Sequence, residues 1–314
     1  MPTITACSTL TFALSPLDEA LAHIAGYGFR HVEIADMLTH AKHFQIDTVD
    51  PVSVRDSLSK HGLTAISSNI TLATLHRDQP GLLRAPTGNH SSAETEEVRR
   101  AKRDIVYYRL HVEAEANLYV ARVRTLIEKA KVAGIPRLVL NTSRKTLVED
   151  IDAEIEATAA LFDELAESAR DAGIQILLEM PHVWQLYYDA NRAKQMLGHL
   201  KSDNIGVLVD STHWHVSGYD IDDYLGFVGD RLRHVHLRDA AGSDSSAGKY
   251  KLEITPGDGE VDFGRLARVL DAHGYEGTVT LETEYKNYKD PSEVDDANAR
   301  ALTHLESVGW DVLR

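Results

Sequence analysis

A chain of 314 residues, 43% apolar and 26% charged, holds ample material for a large hydrophobic core and a solvated surface. Its formal charge of −15, from 33 basic and 48 acidic side chains, repels phosphate backbones and anionic bilayers, so neither nucleic acid nor membrane is expected as a partner. Cys7 is the lone cysteine and excludes an internal disulfide, no apolar run approaches the roughly 20 residues of a bilayer span, and the opening MPTITACSTLTFALS has no signal-peptide pattern, so a cytoplasmic location is expected.

Residues 4–9 are the first of eight short runs rich in Val, Ile, Leu or Thr. A helical pattern follows, with Ser15 read as N-cap, Pro16 as the first helical residue, Leu17, Leu21, Ile24 and Tyr27 on one face, and Gly28 as terminator. The second and third strands are predicted at 31–36 and 63–70. About 74 residues then separate Leu63 from Arg137, with a polar stretch near 71–93 and a long helical pattern to about Ala133. The fourth strand is predicted at 137–142. Phe162, Leu165, Ala166 and Ala169 keep the helical period before Gly173, and strands follow at 175–180, 205–210 and 232–238. A glycine- and serine-bearing stretch at 240–250 comes next, then a helix carrying Leu266, Val269 and Leu270, and a last strand at 277–283.

Continuous rather than alternating hydrophobicity suits parallel strands covered on both faces. Gly28, Gly62, Gly134, Gly173 and Gly274 each stand just before a strand, as helix C-caps do. The chain is thus expected to be α/β, a single (β/α)8 barrel over 1–314 with long loops after strands 3 and 7. Both loops leave the catalytic face, as tolerated insertions or as a lid or partner contact.

Catalytic groups in such barrels sit at the C-terminal ends of strands. Strand 2 ends with Glu33 and Asp36, strand 3 with Ser68 and Asn69, and strand 4 with Asn141. Four successive strands then read ILLEMPH, GVLVDSTH, RHVHLRD and TVTLETE, and deliver Glu179, Asp210, His236 and Glu282 at one height. Bare charge inside an apolar strand is costly, and three carboxylates in one pocket repel each other. A divalent cation relieves both, and this oxygen-rich set favours Mn²⁺, with Mg²⁺ or Co²⁺ as alternatives. His213 either handles substrate or a proton or only orients Asp210. His182, Arg238, Asn69 and Asn141 are candidate substrate contacts, although His182 also reads as a loop histidine, and Arg238 and Asp239 as partners of neighbouring charges. Glu33 reads equally as a buried acid with a structural partner. His215 and His234 are expected to be structural, His234 facing away from the barrel interior, and Glu284 to lie beyond the mouth. Walker spacing and a nucleophile elbow are both missing.

The order of Glu179, Asp210-Ser-Thr-His213, His234-Val-His236-Leu-Arg-Asp239, Pro256-Gly-Asp-Gly-Glu-Val-Asp-Phe263 and Gly274-Tyr-Glu-Gly277 before Leu281-Glu282 resembles the xylose isomerase-like barrels, over nearly the whole chain. The resemblance implies that Glu179, Asp210, His236 and Glu282 are metal ligands, with Glu179, Glu282 and His213 as the catalytic groups. It implies a sugar isomerase or epimerase that removes a proton alpha to a carbonyl and passes through an enediolate. Ketose 3-epimerases carry a second glutamate where this chain has Gln185. Lyases on keto-sugars, such as inosose dehydratase or the catalytic subunit of C-glycoside deglycosidases, therefore stand as the alternative. Endonuclease IV, a three-zinc relative, needs further histidines where this chain offers Asn69 and Asn141. A sugar, keto-sugar or glycoside substrate is expected, with a homo-oligomer or a complex with a small second subunit.

Overall fold

Apolar runs too short for helices have one way to hide both faces: they pair in parallel and are covered by the helices that connect them. The computed structural model describes residues 1–82, 103–244 and 249–313. Its barrel strands are β1 (Ala6–Ser8), β2 (His31–Asp36), β3 (Thr64–Ile70), β4 (Arg137–Leu140), β5 (Gln175–Glu179), β6 (Ile205–Asp210), β7 (Leu232–Leu237) and β8 (Thr278–Leu281). They close in chain order, β8 pairing with β1 through Thr280↔Ala6 and Leu281↔Cys7. Every barrel pairing is parallel.

The connecting helices are α1 (Leu17–Gly26), α2 (Pro51–Lys60), α3 (Glu113–Ala133), α4 (Ile151–Asp171), α5 (Ala190–His199), α6 (Ser211–Ser217), α7 (Ile221–Val228), α8 (Phe263–Ala272) and α9 (Pro291–Ser307). In α4, Phe162, Leu165, Ala166 and Ala169 face the barrel and are wholly buried, as their period predicts. The five glycines expected at helix ends all have positive φ, from 64° to 92°. The start of α1 lies one residue later than expected. Pro16 itself is the N-cap, with ψ of 153°, and no side chain caps the helix. Ser15 instead accepts the Tyr288 hydroxyl at 3.2 Å.

Both long connections carry hairpins rather than plain loops. After β3, Thr74–Leu75 pairs antiparallel with Ile105–Val106. After β7, Asp239–Asp244 pairs antiparallel with Lys249–Ile254. The part of the predicted 71–93 stretch beyond residue 82, and residues 245–248 of the second loop, lie outside the described residues. Among the described residues no helix is long and apolar enough to cross a membrane.

Candidate metal centre and substrate cavity

Side chains alternate along a strand, so every second residue enters the barrel. Val139, Leu177 and Leu208 form one small apolar cluster inside it. Two residues further on, at the mouth, stand Asn141, Glu179 and Asp210. Register brings the next members level: His236 pairs with Asp210 on one side and with Thr280 on the other. Glu282 follows two residues after Thr280, its amide held by the Leu237 carbonyl at 3.0 Å. Glu179, Asp210, His236 and Glu282 thus converge, each at most 6% exposed.

Glu179, Asp210 and His236 each offer a ligand atom within 4.8 Å of the others'. Glu282 Oε2 lies 3.0 Å from His236 Nδ1. Glu282 Oε1 accepts the Asn69 amide at 2.7 Å. Asp210 caps α6, its Oδ1 accepting from the backbone of Thr212 at 2.6 Å and of His213 at 3.1 Å. Its Oδ2 accepts Arg238 Nε at 2.7 Å. Glu179 Oε1 and His236 Nδ1 are buried and make no well-directed hydrogen bond, their nearest charged neighbours being His213 Nε2 at 3.4 Å and Glu282 Oε2 at 3.0 Å. An oxygen-rich set with buried, unsatisfied donor atoms fits a hard divalent cation, since such atoms are rarely left without a partner.

The electrostatics agree with that fit. Burial and the adjacent Asp210 push the Glu179 carboxyl up to about 8. Burial opposes charge on His236, but Glu282 and Glu33 outweigh it and hold the imidazole well above the usual histidine range. At Asp210 burial is likewise outweighed, here by Arg238, and the carboxyl falls below its ordinary value. Burial, followed by nearby charges, keeps both His182 and His213 neutral.

Below this layer, His236 Nε2 reaches Glu33 at 3.0 Å. Glu33 Oε2 accepts the Ser67 hydroxyl at 2.7 Å and lies 3.4 Å from His234 Nε2. His234 therefore departs from its expected outward orientation. Residues two apart share a face of a strand, and both histidines enter the barrel. A carboxylate fixing the far nitrogen of a histidine sets which ring atom faces the mouth.

A cavity of about 330 Å³ opens above the four residues. Asn69, Asn141, His182 and Arg238 line it, as do Glu179 and Glu282. The His182 and His213 rings lie 4.0 Å apart, with His213 Nε2 3.4 Å from Glu179. Asn141 spends its oxygen on the Leu72 amide, at 2.6 Å. Gln185 Oε1 accepts from the Thr142 amide at 2.8 Å and the Tyr187 hydroxyl at 2.7 Å. Glu284 lines the cavity wall, contacting His40 at 2.6 Å and Lys286 at 2.7 Å. Arg144, Trp184, Glu253 and Lys286 also line it, and no strand-end rule singles them out because they follow the barrel strands at irregular distances. Asp239 binds backbone amides rather than neighbouring charges.

The sequence of residues 21–307 matches the model of the xylose isomerase-like TIM barrel family. An inosose isomerase from Halalkalibacterium halodurans is 26% identical over 184 residues, 57% of this chain and 64% of that protein. A fructoselysine 3-epimerase from Escherichia coli O157:H7 is 30% identical over 128 residues, 40% of this chain and 44% of that protein. The chain thus aligns with less than two thirds of either relative's length. Among solved structures, an IOLI protein with a bound zinc atom superposes with a TM-score of 0.71 at 16% identity, covering 96% of this chain and 97% of that one. With the closed eight-stranded barrel and the match across most of its length, the chain belongs to the xylose isomerase-like TIM barrel family.

Proposed function

We propose that the chain is a divalent-metal-dependent sugar isomerase or epimerase that removes a proton alpha to a carbonyl and passes through an enediolate. Glu179, Asp210, His236 and Glu282 are the metal ligands, Mn²⁺ is the expected ion, and the single barrel domain spans 1–314. One observation carries the proposal: four polar side chains from consecutive strands converge under the cavity, two of them with buried donor atoms that make no well-directed hydrogen bond. Bound there, the ion would polarise a substrate carbonyl and so ease loss of the neighbouring proton. The inosose isomerase and 3-epimerase relatives agree with sugar chemistry.

Glu179 and Glu282 approach from strands three apart around an eight-stranded ring, so they can address a bound sugar from different sides. The Asn69 amide fixes the orientation of Glu282. His213, neutral and 3.4 Å from Glu179, is placed to exchange a proton with it or with substrate. His182, Arg238, Asn69 and Asn141 contact the substrate. A lyase acting on a keto-sugar or 3-oxo-glycoside is the second reading. It is favoured by Gln185, which stands where the ketose 3-epimerases carry a second glutamate and whose oxygen is already bound to Thr142 and Tyr187.

Incubation with ketohexoses, inososes and 3-oxo-glycosides in heavy water tests both. Deuterium should enter the alpha carbon, and Glu282→Gln should stop its entry while circular dichroism stays native. Product otherwise unchanged in mass marks isomerisation, and loss of water or of an aglycone marks a lyase. Full activity after exhaustive chelation would sink the proposal.

A further inference from the structure

Among the described residues, four side chains of Lys and Arg line the cavity: Arg144, Lys145, Arg238 and Lys286. Two are matched by acids on the spot. Arg238 binds Asp210 at 2.7 Å, and Lys286 binds Glu284 at 2.7 Å and also Glu253. The other two, on the loop after β4, meet no carboxylate within ion-pair distance among the described residues. Arg144 is held by rings instead. Its guanidinium carbon lies 4.2 Å from the Tyr107 ring centre and 5.0 Å from that of Trp184, and it donates to the Tyr107 hydroxyl at 2.6 Å. The Lys145 ammonium sits 4.3 Å from the Tyr188 ring centre. Burial holds its pKa below the usual lysine value, with Asp189 acting weakly against that.

This pair is rigidly mounted. The Lys145 amide donates to the Trp184 carbonyl at 3.1 Å, and Arg144 bridges to Gln185. The Trp184 indole donates to the Tyr250 hydroxyl at 2.9 Å, tying the plate to the hairpin after β7. The same indole reaches toward the metal site: the Trp184 ring lies 5.5 Å from His182 and 6.0 Å from His213. Across the barrel, β8 stands opposite β4, and the acids Glu282 and Glu284 follow it. Glu282 and Glu284 thus face the unmatched pair from the opposite side of the cavity.

In a chain of net charge −15, an unmatched, half-buried guanidinium is an expensive fixture unless an anion meets it. We propose that Arg144, assisted by Lys145, is an oxyanion subsite. It takes a carboxylate or phosphate that the substrate carries at the end remote from the reacting carbon. The planar guanidinium fork, already fixed by two rings, suits either group in a bidentate manner. The assignment rests on the proposed sugar chemistry only for what lies at the substrate's other end.

Isothermal titration calorimetry of the full chain, with Mn²⁺ and after EDTA treatment, tests this with glucose, glucuronate and glucose 6-phosphate. One or both anions should bind roughly tenfold more tightly than glucose, as one charge-assisted contact supplies. That advantage should shrink with added NaCl. A glucuronate preference identifies a carboxylate, and a glucose 6-phosphate preference a phosphate. Arg144→Gln should remove the advantage and Arg144→Lys should retain part of it. Thermal unfolding checks each fold, and Lys145→Gln, which leaves the stacked plate intact, should weaken anion binding independently. Equal binding of all three probes, or an anion preference that survives both neutral substitutions, would overturn the subsite. Anion preference without any deuterium exchange would instead overturn the reaction proposed above and leave the subsite standing.

Discussion

His43 is 3% exposed and bonded at both nitrogens: Nε2 donates to the Ser15 carbonyl at 2.9 Å, and Nδ1 accepts the Thr9 hydroxyl at 2.9 Å. Thr9 Oγ1 accepts the Ala35 amide in turn, so its hydrogen is free for the imidazole. Only the neutral ring fits this chain of bonds. Burial lowers the His43 pKa to about 4 from 6.5. A base with a depressed folded-state pKa contributes stability in full above the unfolded value and loses it as pH falls through the folded one. The protein should therefore lose about 3 kcal/mol through this group between pH 6.5 and 4. Urea unfolding across that range should show His43→Gln with a slope lower by one proton, and an unchanged slope would refute the assignment. The sequence hides His43 because nothing in its loop marks it as buried. It displays Glu179, Asp210, His236 and Glu282 because each interrupts an apolar strand, where a charge needs a reason. Arg144 and Trp184 lie in irregular segments, and only the fold brings them to the cavity.

At the level of elements, the segment after β7 owes its course to one side chain. Asp239 accepts four backbone amides: Ala240 at 2.8 Å, Gly257 and Gly259 at 2.9 Å, and Val261 at 3.0 Å. A Cβ on Gly259 would lie 2.4 Å from Asp239 Oδ1, and Gly257 has a φ of +99°, so both positions require glycine. The Pro256-Gly-Asp-Gly motif is thus a cradle for an internal carboxylate and turns the chain from the hairpin into α8. Asp239→Ala should strand those amides and cost about 3 kcal/mol or more. Hydrogen exchange at residues 257, 259 and 261 should speed up ahead of the barrel strands, and unchanged protection there would contradict the cradle. All eight strands were legible because apolar runs and glycine caps are local signals. The two hairpins and the seven-residue α6 were not, because a short element is held by tertiary partners such as Asp210 and not by its own periodicity.

The whole barrel concentrates Glu179, Asp210 and Glu282 in one dry layer, with His236 and Arg238 the cations beside them. Closure of β8 on β1 is what forces these groups together, so an ion that binds them stabilises the barrel as a whole rather than one segment. Mn²⁺ at about a hundredfold excess over its dissociation constant should raise unfolding stability by about 2.7 kcal/mol, and EDTA should reverse the gain. The pH dependence has a definite sign. Burial and Asp210 hold the Glu179 carboxyl up to about 8, so below that pH it is protonated until a cation displaces the proton. Apparent affinity should then fall by at least about tenfold per pH unit as pH drops below 8, because Glu179, and His236 with its raised pKa, must each give up a proton to the ion. Scanning calorimetry with Mn²⁺ and with EDTA at pH 6.5 and 8.5 reads both effects together. A melting temperature indifferent to Mn²⁺ at either pH would mean that the four residues hold one another through Arg238 and His236 alone, and that the barrel mouth has no metal to offer a sugar.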